Sequence, residues 1–224
     1  MTTYAVANIL PSIVPLGDDA LIVTFAHVLS WDVGVRIRDC TRRIRELQFN
    51  SVTDVVPAYT TLAVYFDSSR VSFTRLSASI ADVVNGAYGD PRDDETGAVV
   101  EIPVHYDGPD LGDVAMRTGL TTDEVIARHS ARIYRAYMTG FVPGFTYLGD
   151  LDPSLVLPRR TSPRVRVPKG SVAIAAAQTA VYPLQTPGGW HLIGTTESVM
   201  FDVSRNPPAL VRPGDSVRFI PHGA

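Results

Sequence analysis

The sequence predicts an α+β chain of two domains, a small α/β unit over residues 1–90 followed by a closed β-barrel over residues 98–224. Three observations carry this prediction. The front of the chain alternates strand-like and helix-like hydrophobic periods. A polar stretch over residues 89–97, containing Asp90, Pro91, Arg92, Asp93, Asp94 and Glu95, reads as a linker. Beyond it the chain breaks into short strand-like runs separated by proline and glycine, and 14 of its 17 prolines lie after residue 90. Many short strands punctuated in this way favour a barrel or sandwich.

The elements follow in order. Residues 12–16 are a possible first strand, and Leu21, Val23 and Phe25 alternate with Ile22 and Thr24 in a second. Ser30 is placed to cap a helix whose stripe is Val33, Ile37, Cys40, Ile44 and Leu47, with Asp32 in the first turn, where the helix dipole favours an anion. Residues 52–56 and 61–66 read as strands. A second helix carries Phe73, Leu76, Ile80, Val83 and Ala87 on one face, and Gly86 and Gly89 are suited to ending it. The order β-α-β-β-α is close to a ferredoxin-like split βαβ arrangement.

In the second half, residues 100–106 alternate as a strand. Gly119 can close a short helix, and Thr121 with Glu124 forms a capping-box pair for another over residues 122–129, with Leu120 and Val125 placed as its hydrophobic staple. Residues 133–138, 172–184, 190–195, 198–202 and 216–220 read as strands. Between them, residues 141–169 hold Pro143, Pro153, Pro158, Pro163 and Pro168, which predicts a stiff, non-helical excursion. Its apolar and aromatic content, including Phe141, Phe145 and Tyr147, favours an ordered binding loop over disorder.

Composition excludes several classes. The net charge is -3 with a pI near 5.9, which gives no whole-chain case for nucleic-acid binding. A single cysteine makes no internal disulfide, and Cys40 falls on a helix stripe, as a buried inert thiol would. No apolar run approaches the ~18 residues of a membrane span. The first 18 residues lack Lys and Arg and do not read as a signal peptide. The expectation is a cytoplasmic protein with no membrane partner. Walker, dinucleotide, zinc-protease and nucleophile-elbow motifs are all missing, and the five histidines show no metal-ligand spacing, so no metal site is expected.

Charge is distributed unevenly. Residues 153–196 contain no Asp or Glu but carry Arg159, Arg160, Arg164, Arg166 and Lys169, a local charge of +5 that leaves -8 for the remainder. One reading is a set of arginines paired with acids elsewhere in the fold; the other is an anion-binding surface. Neighbouring residues add to the second. Gly188 and Gly189 permit close backbone approach, Trp190 offers a flat face or a packing anchor, and Gln178 and Tyr182 offer hydrogen bonds or packing. His191 is the histidine placed in this segment. Together these residues are the candidate substrate and anion site.

Longer motifs resemble a known bacterial family. GFVPGFTYLG at residues 140–149, PRRTSPRVRVPKGS at 158–171 and QTAVYPLQTPGGWHLIG at 178–194 resemble signatures of one family that goes by three names: the B subunit of 5-oxoprolinase, allophanate hydrolase subunit 1 and the histidine-kinase inhibitor KipI. EIPVHYD at 101–107, PGD at 213–215, and Gly17-Asp18 with VVPAY at 55–59 also fit, so the resemblance covers nearly the whole chain. It implies a ferredoxin-like domain and a cyclophilin-like barrel. It further implies one component of an ATP-dependent 5-oxoprolinase that opens 5-oxoproline to glutamate. The component is expected to be inactive alone and to share its site with the C subunit, the implied partner with a related cyclophilin-like barrel. The A subunit is the further partner. ATP with Mg is the implied cofactor. The same resemblance leaves open inhibition of a histidine kinase, or half of a urea carboxyltransferase or allophanate hydrolase system. This chain departs from the pattern at His105, where the family often has Cys. It also departs at Ala173, Ala176, Ala177 and Ala180, where glycines are usual.

Overall fold

The computed structural model describes residues 11–86 and 99–223. The chain divides into two compact units, Met1–Glu95 and Thr96–Ala224. The linker reading at residues 89–97, Ala87 and Gly89 lie outside the described residues.

The first unit is a four-stranded antiparallel sheet backed by two helices. Its elements are β1 (Ser12–Pro15), β2 (Ala20–Thr24), α1 (Trp31–Glu46), β3 (Val52–Pro57), β4 (Thr61–Phe66) and α2 (Phe73–Gly86), with strand order β1-β2-β4-β3. Because β4 pairs antiparallel with both β2 and β3, the latter two run parallel with β4 between them, so β2-α1-β3 is a split βαβ unit. Ser30 caps α1, its hydroxyl accepting from the Val33 N–H at 3.3 Å. The α1 stripe buries Val33, Ile37, Cys40 and Ile44 against Leu21, Val23, Leu62 and Val64. It ends there, because Leu47 is the C-cap and is exposed. Burial pushes the Cys40 thiol up to about 11, so it stays protonated and inert. On α2 the core position is Val84, with Val83 only half-buried.

The second unit is built on a seven-stranded sheet with order β12-β9-β10-β7-β6-β13-β5. These strands are β5 (Val99–Val104), β6 (Ile133–Thr139), β7 (Thr146–Gly149), β9 (Ser171–Ala175), β10 (Gln178–Val181), β12 (His191–Thr195) and β13 (Ser216–Pro221); β8 (Arg164–Val167) and β11 (Thr186–Gly188) form a separate two-stranded ribbon. The sheet's two edge strands meet. His105 N–H donates to the Thr195 carbonyl at 2.9 Å and Thr195 N–H returns the bond at 2.7 Å, making a nearly closed, barrel-like sheet. Closure needs backbones in contact: a Cβ on Gly194 would lie 2.6 Å from the His105 carbonyl oxygen, and one on Gly108 would lie 2.4 Å from Ile193 backbone atoms.

One apolar cluster draws on all seven strands, including Ile102, Tyr134, Leu148, Ile174, Val181, Ile193 and Phe219, so it fills the interior. Helices α3 (Leu111–Thr118) and α4 (Thr122–Ser130) add Val114 and Val125. The capping box at Thr121 and Glu124 is formed in full.

His129 lies fully buried in this interior, stacked on Phe219 at 4.6 Å between ring centroids. Its hydrogen bonds fix its tautomer. The Thr179 hydroxyl donates to the Ala173 carbonyl at 3.1 Å, so it accepts from His129 Nε2 at 2.9 Å, and Nδ1 accepts from the Tyr106 hydroxyl at 2.8 Å. A neutral ring satisfies every partner, and burial holds its pKa down at about 3.

Two strand expectations and one loop expectation are corrected. Residues 172–184 form a hairpin of β9 and β10, turned at Ala176 with φ +48°, a conformation that glycine would have signalled. Residues 198–202 make only a single bridge, Phe201 to Ala209. The excursion over residues 141–169 contains β7, a turn of 3-10 helix at Pro153–Leu155, and β8. Prolines punctuate these pieces rather than keeping the whole stretch irregular.

The buried neutral His129 predicts an acid-sensitive fold. A histidine unfolded at about 6.5 and folded at about 3 stabilises fully above pH 6.5. That contribution is lost as pH falls from 6.5 towards 3, because the unfolded chain binds the proton that the folded chain excludes. Urea midpoints measured across this window should fall more steeply for the native chain than for His129→Gln. The difference should be at most about 1.4 kcal/mol per pH unit.

Candidate functional site

Alternation along β9, β10 and β12 sends every second side chain to the face opposite the interior. There Ala173, Ala175, Ala180 and Leu192 form a floor of mostly small side chains. Seated on it are Phe145, Tyr182, Trp190 and Val167, with Val142 and Tyr147 packed alongside. Phe145 is the hub. Its ring centroid lies 4.8 Å from Tyr147, 5.3 Å from Tyr182 and 5.7 Å from Trp190, in edge-to-face arrangements. Each such pair contributes about 0.5–1.5 kcal/mol beyond its buried area. Trp190 is therefore a packing anchor, with 5% of its surface exposed, rather than an open stacking face. Tyr182 is buried beside it. A Cβ on Gly188 would sit 2.3 Å from the Tyr182 hydroxyl, so the ribbon strand β11 passes over Tyr182 only because residue 188 is glycine. Burial raises the Tyr182 phenol above its ordinary value, partly offset by a hydrogen bond from the Trp190 backbone and by the charges of Arg159 and Arg164.

The five cations separate into two groups. Arg160 and Arg164 converge on one carboxylate, Asp110, which is 3% exposed. Arg160 Nη1 donates to Oδ1 at 2.7 Å, Arg164 Nη2 to Oδ1 and Nη1 to Oδ2 at 2.7 Å each, and the Leu192 backbone N–H to Oδ2 at 2.7 Å. Burial alone would raise the Asp110 pKa, but the Arg164 and Leu192 hydrogen bonds and the two guanidinium charges outweigh it and hold the carboxyl below its ordinary range. The same pairing raises Arg164. For these two arginines, pairing with an acid elsewhere in the fold is what the structure contains. Arg159, Arg166 and Lys169 are exposed and pair with no carboxylate among the described residues.

Two further bonds clamp the excursion to the strand end. Arg160 N–H donates to the Gly189 carbonyl at 2.8 Å, and His191 Nε2 donates to the Pro158 carbonyl at 2.9 Å. A carbonyl only accepts, so Nε2 carries the proton. His191 is completely buried, and its Nδ1 has no hydrogen-bond partner among the described residues, the nearest carboxylate oxygen being Asp113 Oδ2 at 4.0 Å. Gln178 stands apart, at the hairpin end of β10, whereas Tyr182 follows its other end. The candidates thus brought together are Arg159, Arg160, Arg164, Tyr182, Gly188, Gly189, Trp190 and His191. Sequence reasoning missed Asp110 as their organiser. The available signal was that an acid-free stretch this cationic needs a carboxylate from another segment. Among the described residues no group of three or more His, Cys, Asp or Glu is arranged to hold a metal.

The family described as carboxyltransferase domain, subdomain C and D, matches residues 11–211. The 5-oxoprolinase B subunit of Bacillus subtilis is 37% identical over 217 residues, covering 92% of this chain and 90% of that protein. The chain belongs to the family of 5-oxoprolinase B subunits. The member from Escherichia coli O157:H7 is 54% identical over 125 residues, covering 54% of this chain and 57% of its own. Among solved structures, TTHA0988 superposes with a TM-score of 0.80 at 38% identity over 92% of this chain, which spans only 40% of that longer chain. The Kluyveromyces lactis urea amidolyase shares the fold, with a TM-score of 0.78 at 16% identity over 95% of this chain and 15% of its own.

Gly188→Ala tests the packing of β11 over Tyr182. The added methyl should displace the phenol and cost about 1–3 kcal/mol, read as a lowered urea midpoint. An unchanged midpoint would show that the ribbon shifts freely.

Proposed function

We propose that this chain is a non-autonomous subunit of an ATP-dependent 5-oxoprolinase. The complex opens 5-oxo-L-proline to L-glutamate at a site that this chain shares with the C subunit, in an assembly completed by the A subunit. The observation that carries the reading is the trio Arg159, Arg166 and Lys169. These are exposed cations, unpaired with any carboxylate among the described residues, in a segment without acids of its own. Family membership supplies the reaction class. The finer fold labels belong to the same proposal: a ferredoxin-like first unit, supported by its split βαβ order, and a cyclophilin-like barrel, supported by the nearly closed sheet.

The chemistry explains the division of labour. A lactam is a poor electrophile; ATP, when bound, would supply a phosphoryl group to the amide oxygen and so open its carbon to water, the ring C–N bond breaking and phosphate leaving as a second water enters. In this chain Arg159, Arg166 and Lys169 fit the binding of phosphate or of the substrate carboxylate, and Arg159 is the one beside Tyr182. The segment offers no carboxylate for Mg, and Asp110 already accepts four hydrogen bonds, so in this reading the metal would take its ligands from outside the segment, from Asp150, Asp152 or the partner. A cytoplasmic location matches the supply of ATP. The alternative, half of a urea carboxyltransferase, draws on the family description and the shared fold, and biotin-dependent carboxylation of urea would distinguish it.

Two measurements test this reading. The isolated chain should release no glutamate from 5-oxoproline, whereas the chain co-expressed with the A and C subunits should do so with stoichiometric ATP hydrolysis; turnover by the chain alone would sink the composite site. Within the complex, Arg159→Ala should raise KM for 5-oxoproline or ATP by about 10- to 100-fold without lowering the melting temperature. Arg164→Ala is a poorer probe, because it also leaves Asp110 underbonded.

A further inference from the structure

Among the described residues, four α-helix starts carry a residue suited to capping, and three of them use it. The Ser30 hydroxyl accepts from Val33 N–H, the Ser72 hydroxyl from Arg75 N–H and the Thr121 hydroxyl from Glu124 N–H. Asp110 occupies the same position at the start of α3, yet its carboxylate makes no bond to the helix. An aspartate at that position ordinarily accepts from the first-turn amides. Here both oxygens are turned away and are saturated, each taking two hydrogen bonds. A saturated carboxylate has no lone pair left for proton transfer or for a metal. What remains is geometry. The bidentate grip fixes the plane of the Arg164 guanidinium, and the single bond to Nη1 fixes Arg160. One negative charge against two positive ones leaves the cluster cationic, and Arg164 and Arg159 both lie close enough to bear on the Tyr182 hydroxyl.

We propose that Asp110 is the positioning residue of the anion site: it sets the guanidinium planes of Arg160 and Arg164 and so aims their free edges, beside Arg159, at a bound carboxylate or phosphate. This deepens the 5-oxoprolinase reading and rests on it. The backbone of the excursion is held independently of Asp110, by Arg160 N–H on Gly189, by His191 on Pro158, and by pairing of β8 with β11. Loss of the carboxylate therefore loosens the arginines while the main chain stays in place.

The test uses the co-expressed complex and Asp110→Asn, with KM for 5-oxoproline and for ATP measured separately from kcat. One of the two KM values should rise by about tenfold or more with kcat changing less, and which one rises tells whether the anion is the substrate carboxylate or the nucleotide phosphate. In an Arg160→Ala, Arg164→Ala background, Asp110→Asn should add nothing further, because the residue acts through those arginines. A lower melting temperature with both KM values and kcat unchanged would mean that Asp110 only stabilises the fold, and would overturn the proposal. Should Asp110→Asn fail to fold, Arg164→Lys carries the test. It keeps the charge but cannot bridge both oxygens, so an unchanged KM for both substrates overturns the proposal and an increase supports it. A wild-type complex that releases no glutamate would instead count against the functional reading. NMR of the arginine Nε–H groups in Asp110→Asn then decides the positioning role. Mobile, fast-exchanging Arg160 and Arg164 Nε–H groups with unchanged backbone amide exchange over residues 158–166 support it, and Nε–H signals as ordered as in the native chain overturn it.

Discussion

Where the first and last strands of the barrel sheet meet, His105 and Thr195 exchange two backbone hydrogen bonds, and the chain continues alongside β12 through Gly108 and Asp110, whose N–H groups donate to Ile193 and Leu192. This approach is possible only where no side chain stands between the strands, and Gly108 and Gly194 provide that. Closing the sheet removes its edges, which would otherwise be templates for pairing with other chains. It also delivers Asp110 to the strand end from which the cationic excursion departs. A carboxylate encoded 50 residues before Arg160 is thus an immediate neighbour of Leu192.

The distribution of charge follows from that delivery. Two guanidiniums packed together on a half-buried surface would repel one another and lose hydration. A single carboxylate between them, itself hydrogen-bonded to backbone, converts the pair into a fixed framework. The remaining cations of the segment are left in water, where they keep their capacity to take an anion from outside the chain. Aromatic packing around Phe145 completes the framework from below, replacing what an acid-free, glycine- and proline-rich stretch lacks in regular secondary structure.

Much of this was legible in the sequence, for identifiable reasons. The first helix and the helix after Thr121 announce themselves by side-chain caps and apolar stripes, both local signals. The clustering of Arg159, Arg160 and Arg164 near Tyr182, Gly188 and Trp190 was legible because these residues are close in sequence. The turn at Ala176 was not, since alanine does not advertise a positive φ. Nor was the role of Trp190, because packing anchors and stacking platforms have the same composition. Asp110 was invisible for a different reason: its partners are set by closure of a sheet, a long-range event with no local trace. For Arg160 and Arg164 the plainer of the two charge readings, pairing with an acid elsewhere, is the one the structure contains.

The strands β9, β10 and β12 carry two sets of residues of unequal size. Val172, Ile174, Val181 and Ile193 fill the interior, while Ala173, Ala175 and Ala180 lie beneath the rings of Tyr182 and Trp190. A one-residue slip of β10 against β9 would exchange the sets. Valine would then be thrust into the aromatic cluster, and alanine would leave voids in the barrel interior. Both errors are felt at once, on opposite faces of the same ladder. The alanine floor beneath the aromatic cluster thereby works as a proofreading device for the barrel: a chain paired out of step can seat neither its core nor its rings.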